Sequence, residues 1–414
     1  MMTCRSDGDA MKLIEFGSIS HITKGKKPVN QSKERLDGFK PYVDIEAFET
    51  GKIKAFTDGE KCLPCKNSDI LIVCDGSRSG FVGRAIEGYV GSTLAIISAD
   101  GMTSDYLYYF LQGKYALLNT KKKGTGTPHL DANILNQQKL IVPSVTEQEH
   151  IVAKIEELFS ELDNGVENLK KTRQQLVVYR NAVLKDAFVG KFTKHLPCNI
   201  ELLWASDEET KSLPSIPHEW RYIALSNLGD LGRGKSKHRP RNDPKLFEGG
   251  KYPFLQTGEV KAAKRYITEY SKMYGDFGLN QSKLWPKGTL CITIAANIAE
   301  TAFLGMDACF PDSVVGFTPF EHIVPEYIKY FIESQKLRLW AFAPATAQKN
   351  INLDTLENLI VPYCSVEEQK NCIAEIEARM TICDNLEKTV DIALQQAEAM
   401  RQSILKKAFE GELK

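Results

Sequence analysis

No run of 18 apolar residues occurs in this chain, so no membrane-spanning helix is expected. The opening residues, MMTCRSDGDAMKLIEF, hold no apolar core of the kind a secretory signal needs. An excess of either charge is also missing. The 53 Lys and Arg balance 53 Asp and Glu, so only local clusters can grip a polyanion. The ten cysteines are scattered, and Cys74, Cys291 and Cys383 fall inside apolar patterns. Cys62 and Cys65 form the one CxxC, with no second pair and no histidine nearby. That usage suits thiols acting as small core residues in a reducing cytoplasm. Catalytic signatures are absent too: no HExxH, no nucleophile elbow and no clear carboxylate set for nuclease chemistry. Asn242-Asp-Pro-Lys245 lacks the second proline and the aromatic residue of a base-methyltransferase loop. The string Gly229 to Ser236 matches a phosphate-binding loop letter for letter. That mechanism needs a helix starting at the lysine, yet Pro240 and Pro244 follow, so no nucleotide site is expected. The chain reads as a binder of sequence or surface, with no catalytic residue and no metal ligand.

What is present is a stretch that occurs twice. Thr146 to Phe192 and Glu367 to Leu413 share a constant offset of 221, from Gln148 on Gln369 to Gly190 on Gly411. Each copy ends in a Leu-Lys-x-Ala-Phe-x-Gly block. Apolar residues recur at Ile151, Ile155, Leu158, Leu162, Val166, Leu169, Leu176 and Val183. In the second copy they recur at Ile373, Ile376, Met380, Cys383, Val390, Leu394, Ala397 and Ile404. Such steps of three and four make one narrow stripe near the coiled-coil period. Neither copy contains proline, and Gly165 is the one internal glycine. Gly190 and Gly411 stand where a left-handed cap stops a helix. About 40 residues at about 1.5 Å each give about 60 Å of rod. A rod with a single apolar stripe needs a partner, and the nearest is the other copy.

The duplication extends upstream. Asp105 to Phe110 matches Glu326 to Phe331, and Thr125 to Leu130 matches Thr346 to Ile351, both at 221. Ser68 to Val73 matches Gly288 to Thr293 at 220, and Lys24-Gly-Lys26 matches Arg233-Gly-Lys235 at 209. The architecture is a tandem α+β duplication in which a strand-rich module precedes each long helix. We place the first module at 1–143 and the central helix at 144–192. An exposed, mostly irregular linker follows at 193–216, then the second module at 217–362 and the C-terminal helix at 363–414. Short apolar runs bounded by Gly and Asp-Gly turns mark strands at Ile70 to Cys74 and Leu94 to Ile97, and again at Pro253 to Gln256, Thr289 to Ile294 and Ser313 to Phe317. Shorter helices are expected over Ser104 to Leu118 and from Pro325 to Phe342.

Basic residues cluster at equivalent places in both modules. Arg233 to Arg241 holds Arg233, Lys235, Lys237, His238, Arg239 and Arg241 with no acid. Lys24, Lys26 and Lys27, together with Lys121, Lys122 and Lys123, do the same in the first module. The interleaved Gly and Pro imply loops, from which Lys and Arg can neutralise phosphates and Arg can grip guanine. Polar loop residues form a second set: Thr125, Thr127 and His129 against Thr346, Gln348, Lys349 and Asn350, and Ser77-Arg78 against Asn297. Solvated basic loops and ordinary turns are the competing reading of these residues.

Three features together resemble the specificity (S) subunit of type I restriction–modification systems. They are the duplicated modules, the Ile-Val-Pro…Glu-Gln entry to each helix (Ile141 to Gln148, Ile360 to Gln369) and the AFVG/AFEG blocks. The resemblance implies that each module binds one half of a split, asymmetric target in the major groove of double-stranded DNA. It implies that the two helices pair antiparallel as a spacer, with pseudo-twofold symmetry, and dock two modification (methyltransferase) subunits. S-adenosylmethionine, ATP and Mg would sit on partner subunits, the restriction subunits being the translocase and nuclease. One departure is the start of module one, which lacks the Leu-Pro-x-x-Trp lead-in that Ile216-Pro-His-Glu-Trp220 approximates before module two. The alternative is a non-catalytic scaffold with paired helices and no DNA role.

Overall fold

The computed structural model describes residues 13–121, 128–198, 200–342 and 350–413. The chain forms two compact units: residues 1–171 with 390–414, and residues 172–389. The first long helix is Val145–Ala187 and the second is Val366–Phe409. Each unit thus holds one module and half of each long helix.

In the first unit, Ser20–Lys24, Leu94–Ala99, Ile70–Val73 and Val82–Arg84 form an antiparallel sheet in that order. A second sheet runs Phe56–Thr57, Lys40–Val43, Gly88–Val90, Pro64–Cys65. Ile70–Val73 is apolar at every position because both of its faces are covered. Ile70 and Ile72 pack with Leu107 and Phe110, while Leu71 and Val73 face Val43 and Val90. The second unit repeats the plan. Gly229–Arg233, Val314–Pro319, Leu290–Thr293, Thr301–Leu304 and Tyr266–Ile267 make one sheet. Lys272–Tyr274, Tyr252–Phe254, Ala308–Cys309 and Leu284–Trp285 make the other. Leu290 and Ile292 turn to one core, Cys291 to the other.

The helix halves run antiparallel within each unit. In the first, Arg401 pairs with Asp163 and lies over the Phe159 ring, while Leu405 and Ala408 pack with Val152 and Ile155. In the second, Arg180 reaches Asp384 at 2.6 Å and Glu387 at 3.0 Å, and Cys372 lies against the Ala187 carbonyl. Gly190 and Gly411, at φ of 79° and 76°, are the left-handed caps.

One expectation needs correction. The stretch read as one helix from Pro325 to Phe342 is two, Pro325–Ser334 and Lys336–Phe342. Gln335 caps the first, and Lys336 turns aside to Glu300 at 2.7 Å. The linker is mostly irregular and exposed, as expected, but most of its apolar residues are half-buried. Phe192, Cys198, Ile200, Leu202, Trp204 and Ile216 pack against the second unit's core. Trp204 bridges to Ile223, and Ser206 with Glu209 makes a capping box on Asp207–Thr210.

Candidate nucleic-acid interface

Chain segments far apart in sequence meet at one edge of each unit. In the first, the Ser20–Lys24 strand ends beside Gly25, whose N–H donates to the Leu94 carbonyl. A Cβ at Gly25 would stand 2.4 Å from the Val90 and Gly91 carbonyl oxygens, so only glycine fits there. The chain then emerges with Lys24, Lys26 and Lys27 exposed. Next to it, the turn after Ile70–Val73 is pinned by the buried Ser79 hydroxyl, which donates to the Gly76 carbonyl at 2.7 Å. Asn119 donates to the Ser77 and Ser79 carbonyls at 3.0 and 3.1 Å, which brings the end of Ser104–Thr120, and hence Lys121, to the same turn. The Leu130 N–H donates to the Cys74 carbonyl, so His129 lies alongside Asp75.

Asp75 is the hub. Its carboxylate accepts from Lys24 Nζ at 2.7 Å and lies 2.7 Å from His129 Nδ1. Burial alone would raise the Asp75 pKa, but the Lys24 and His129 hydrogen bonds outweigh it and hold the carboxyl below the usual range. Arg78 pairs with Glu49 at 3.0 Å and stacks over Phe81. The edge therefore offers Lys26, Lys27 and Lys121 as exposed cations whose side chains have no partner among the described residues. Lys24 and Arg78 are each already matched to an acid.

The second unit reproduces this plan with different side chains. Gly234 donates to the Val314 carbonyl, as Gly25 does to Leu94, and a Cβ there would lie 2.3 Å from the Phe310 and Pro311 carbonyl oxygens. Arg233 donates through Nε and Nη2 to the Asp312 carbonyl, at 3.0 and 2.7 Å. Arg241 holds the Asp312 carboxylate at 2.9 and 3.1 Å. Arg239 donates to the Ser236 and His238 carbonyls, and His238 lies 2.7 Å from Asp243. These four groups knit the loop, and Lys235 and Lys237 project from it without side-chain partners among the described residues. Asn297 is half-buried and accepts from Lys261 at 3.4 Å. Asn350 bridges to Ala295, matching His129 and Asp75. Ala296 and Ala299, at φ of 62° and 61°, occupy left-handed positions that Gly76 and Gly80 fill in the first unit.

The strand Gly229–Arg233 runs into an extended loop, and the next element is the single turn Pro244–Leu246. No helix starts at Lys235, so the string there lacks the frame of a phosphate-binding loop. Lys122, Lys123, Thr125, Thr127, Thr346, Gln348 and Lys349 lie outside the described residues. Among the described residues no cluster of three or more His, Cys, Asp or Glu is arranged to hold a metal ion. Sequence reasoning missed Asp75, Asp312, Asn119 and Lys261. The Asp75-Gly76 dipeptide was visible only as a turn signal.

Comparison with known proteins agrees with the repeat. The family model described as the type I restriction modification DNA specificity domain matches residues 9–175 and 217–396. The chain is 25% identical to the type I restriction enzyme EcoBI specificity subunit of Escherichia coli, over 98% of this chain and 86% of that one. It is 26% identical to the MjaVIII specificity subunit of Methanocaldococcus jannaschii, over 97% and 93%. Among solved structures it resembles a chain from work on complex assembly and conformational transition of the type I R-M system. That match has a TM-score of 0.73 at 18% identity and covers 97% of this chain and 98% of the other. The HsdS subunit from Thermoanaerobacter tengcongensis matches at a TM-score of 0.56 and 18% identity, over 97% of each chain. At these identities the structural likenesses speak to fold alone. With both copies of the repeat matched by one family model, the chain belongs to the type I restriction modification DNA specificity family.

Proposed function

We propose that this chain is the DNA-reading subunit of a type I restriction–modification complex and carries out no chemistry itself. Each module reads one half of a bipartite, asymmetric target. The observation that carries this is the duplicated edge, where a strand end, a turn and a returning loop meet around exposed cations in both units. Lysines unmatched by acids are available to phosphates, and the unlike partners around them, Lys24, Asp75 and His129 against Arg233, Arg241 and Asp312, favour unlike half-sites. The name of the family and of its specificity-subunit members supports the same reading.

The paired helices dock two modification subunits, with restriction subunits completing the assembly. In the second unit, Val177, Val178 and Tyr179 on the first helix and Ile382 and Leu386 on the second are exposed at 47–69%. Apolar side chains in such number on a helix pair suit a protein partner. S-adenosylmethionine, ATP and Mg act on those partners, and the complex works in the cytoplasm. No helix among the described residues is long and apolar enough to cross a membrane. The test is single-molecule methylation mapping of DNA from cells expressing the chain with its modification partner. A single split, asymmetric methylated motif is expected. Methylation without a sequence motif would overturn the reading.

A further inference from the structure

At the edge of the first unit, Arg78 differs from the unmatched lysines in that its direction is fixed. It stands in the turn that follows Ile70–Val73. Its carbonyl accepts from the Phe81 N–H at 3.0 Å, and the next residue, Ser79, is buried and pins the turn. Its side chain pairs through Nη1 with Glu49 Oε2 at 3.0 Å and lies 4.1 Å from the centre of the Phe81 ring. Phe81 is itself set edge-on between Phe48 and Tyr115, with ring centres 5.9 and 5.7 Å away. Phe48 and Glu49 are neighbours on the short helix Ile45–Thr50, so one element supplies both the acid and part of the aromatic seat. Exposed ion pairs add little to stability, so holding the fold together is a poor reason for this much restraint on an exposed arginine.

The second unit makes the same contact with unlike side chains. Asp44 and Gln256 immediately precede the short helices Ile45–Thr50 and Thr257–Ala262, and Glu49 and Lys261 stand at the same place after them. Lys261 Nζ reaches Asn297 Oδ1 at 3.4 Å, in the turn that the repeat sets against Ser77-Arg78. In one unit the helix supplies an acid and the turn a guanidinium. In the other the helix supplies an ammonium and the turn an amide. A contact held in place while its chemistry is exchanged is what two modules need if they are to read unlike half-sites.

We infer that Arg78 reads a guanine in the half-site of the first module and that Glu49 is its positioning residue. The inference rests on reading the chain as a reader of DNA sequence, and it deepens that reading by naming a base and the pair that reads it. Glu49 engages one nitrogen of a guanidinium that carries five N–H donors and no acceptor. The remaining donors can meet only acceptors. Guanine offers two side by side in the major groove, O6 and N7, matched to the arginine fork. A side chain already held by an acid and a ring loses little freedom on binding, so its discrimination is not spent on ordering it. The lysines and this arginine thus divide the work: unmatched ammonium groups meet phosphates, and the matched, directed guanidinium meets a base.

The test uses the chain assembled with its modification partner and duplexes carrying its methylated motif. Each base pair is replaced in turn within the half that survives exchange of residues 217–362. Equilibrium binding is expected to show a G·C pair at which wild type discriminates by about fivefold to 150-fold. Arg78→Ala should remove that preference and leave the other positions unchanged. Arg78→Lys keeps the charge but loses the fork, so it should remove the preference too, whereas a phosphate contact would survive it. Glu49→Ala should weaken discrimination at that same base pair, and Glu49→Gln, which still offers an acceptor, should restore most of it. Melting temperatures at the wild-type value separate reading from folding, and if Arg78→Ala melts early the two Glu49 variants carry the test. A half with no G·C preference, a preference that survives Arg78→Lys, or an equal loss at every position overturns the proposal. In those cases a motif is still read and the broader reading stands, whereas methylation without a motif fails both.

Discussion

The loop Gly234 to Arg241 allows a quantitative prediction, because its cations are of two kinds. Lys235 and Lys237 have no side-chain partner among the described residues, whereas Arg241 already faces the Asp312 carboxylate. Each phosphate contact contributes about 0.9 to the slope of log affinity against log salt. Removing both lysines in Lys235→Ala/Lys237→Ala is therefore expected to reduce that slope by about 1.8. Over a fourfold rise in salt, wild-type affinity should then fall about twelvefold more than that of the variant. Arg241→Ala should change the slope by less than one full contact, since its charge is partly spent within the protein. The assay is equilibrium DNA binding by the chain assembled with its modification partner, titrated at several salt concentrations. A double variant with a wild-type slope would refute the placement of this loop against DNA.

Other expectations follow from the same geometry. Gly165 is helical and exposed, with nothing within 4 Å of an added Cβ, so Gly165→Ala should stabilise the protein by about 1 kcal/mol in chemical denaturation. Leu176 is buried in the helix seam, and Leu176→Asp should cost about 3 kcal/mol or more and impair complex assembly on size-exclusion chromatography. Asp75 has a lowered pKa in the folded protein, so its stabilising effect is full above the ordinary carboxylate range and is lost as pH falls through the folded value. Asp75→Asn should therefore be less stable than wild type at neutral pH, and the difference should begin to shrink only below about pH 4 and vanish below the lowered folded value. Equal pH profiles for the two proteins would remove Asp75 from its role as hub.

Much of the fold was legible because the chain states it twice. The offset of Lys24 on Arg233 corresponds to a shared backbone bond, Gly25 to Leu94 and Gly234 to Val314. The apolar run Ile70–Val73 was readable as a strand because both faces are buried, which removes the usual alternation. The helical stripe was read too narrowly. Val152, Phe159 and Leu184 are also buried, because the ends of the rod cover a module as well as the other rod. In the linker, Cys198, Ile200, Leu202 and Trp204 alternate with a period of two, an extended, half-buried pattern hidden among prolines and acids. The least legible feature was the pairing within the basic loops. Nothing in RGKSKHRPR says that Asp312, some 70 residues away, takes up Arg241 and, through its carbonyl, Arg233. Local charge counts reveal a cluster, but only the fold reveals which charges remain unmatched.

The central claim is that each module reads its own half of the target. Replacing residues 217–362 with the corresponding module of another specificity subunit, then mapping methylated sites by single-molecule sequencing, tests it most directly. The account predicts a new motif in which one half is changed and the other is identical to wild type. A map in which both halves change, or neither does, would contradict it.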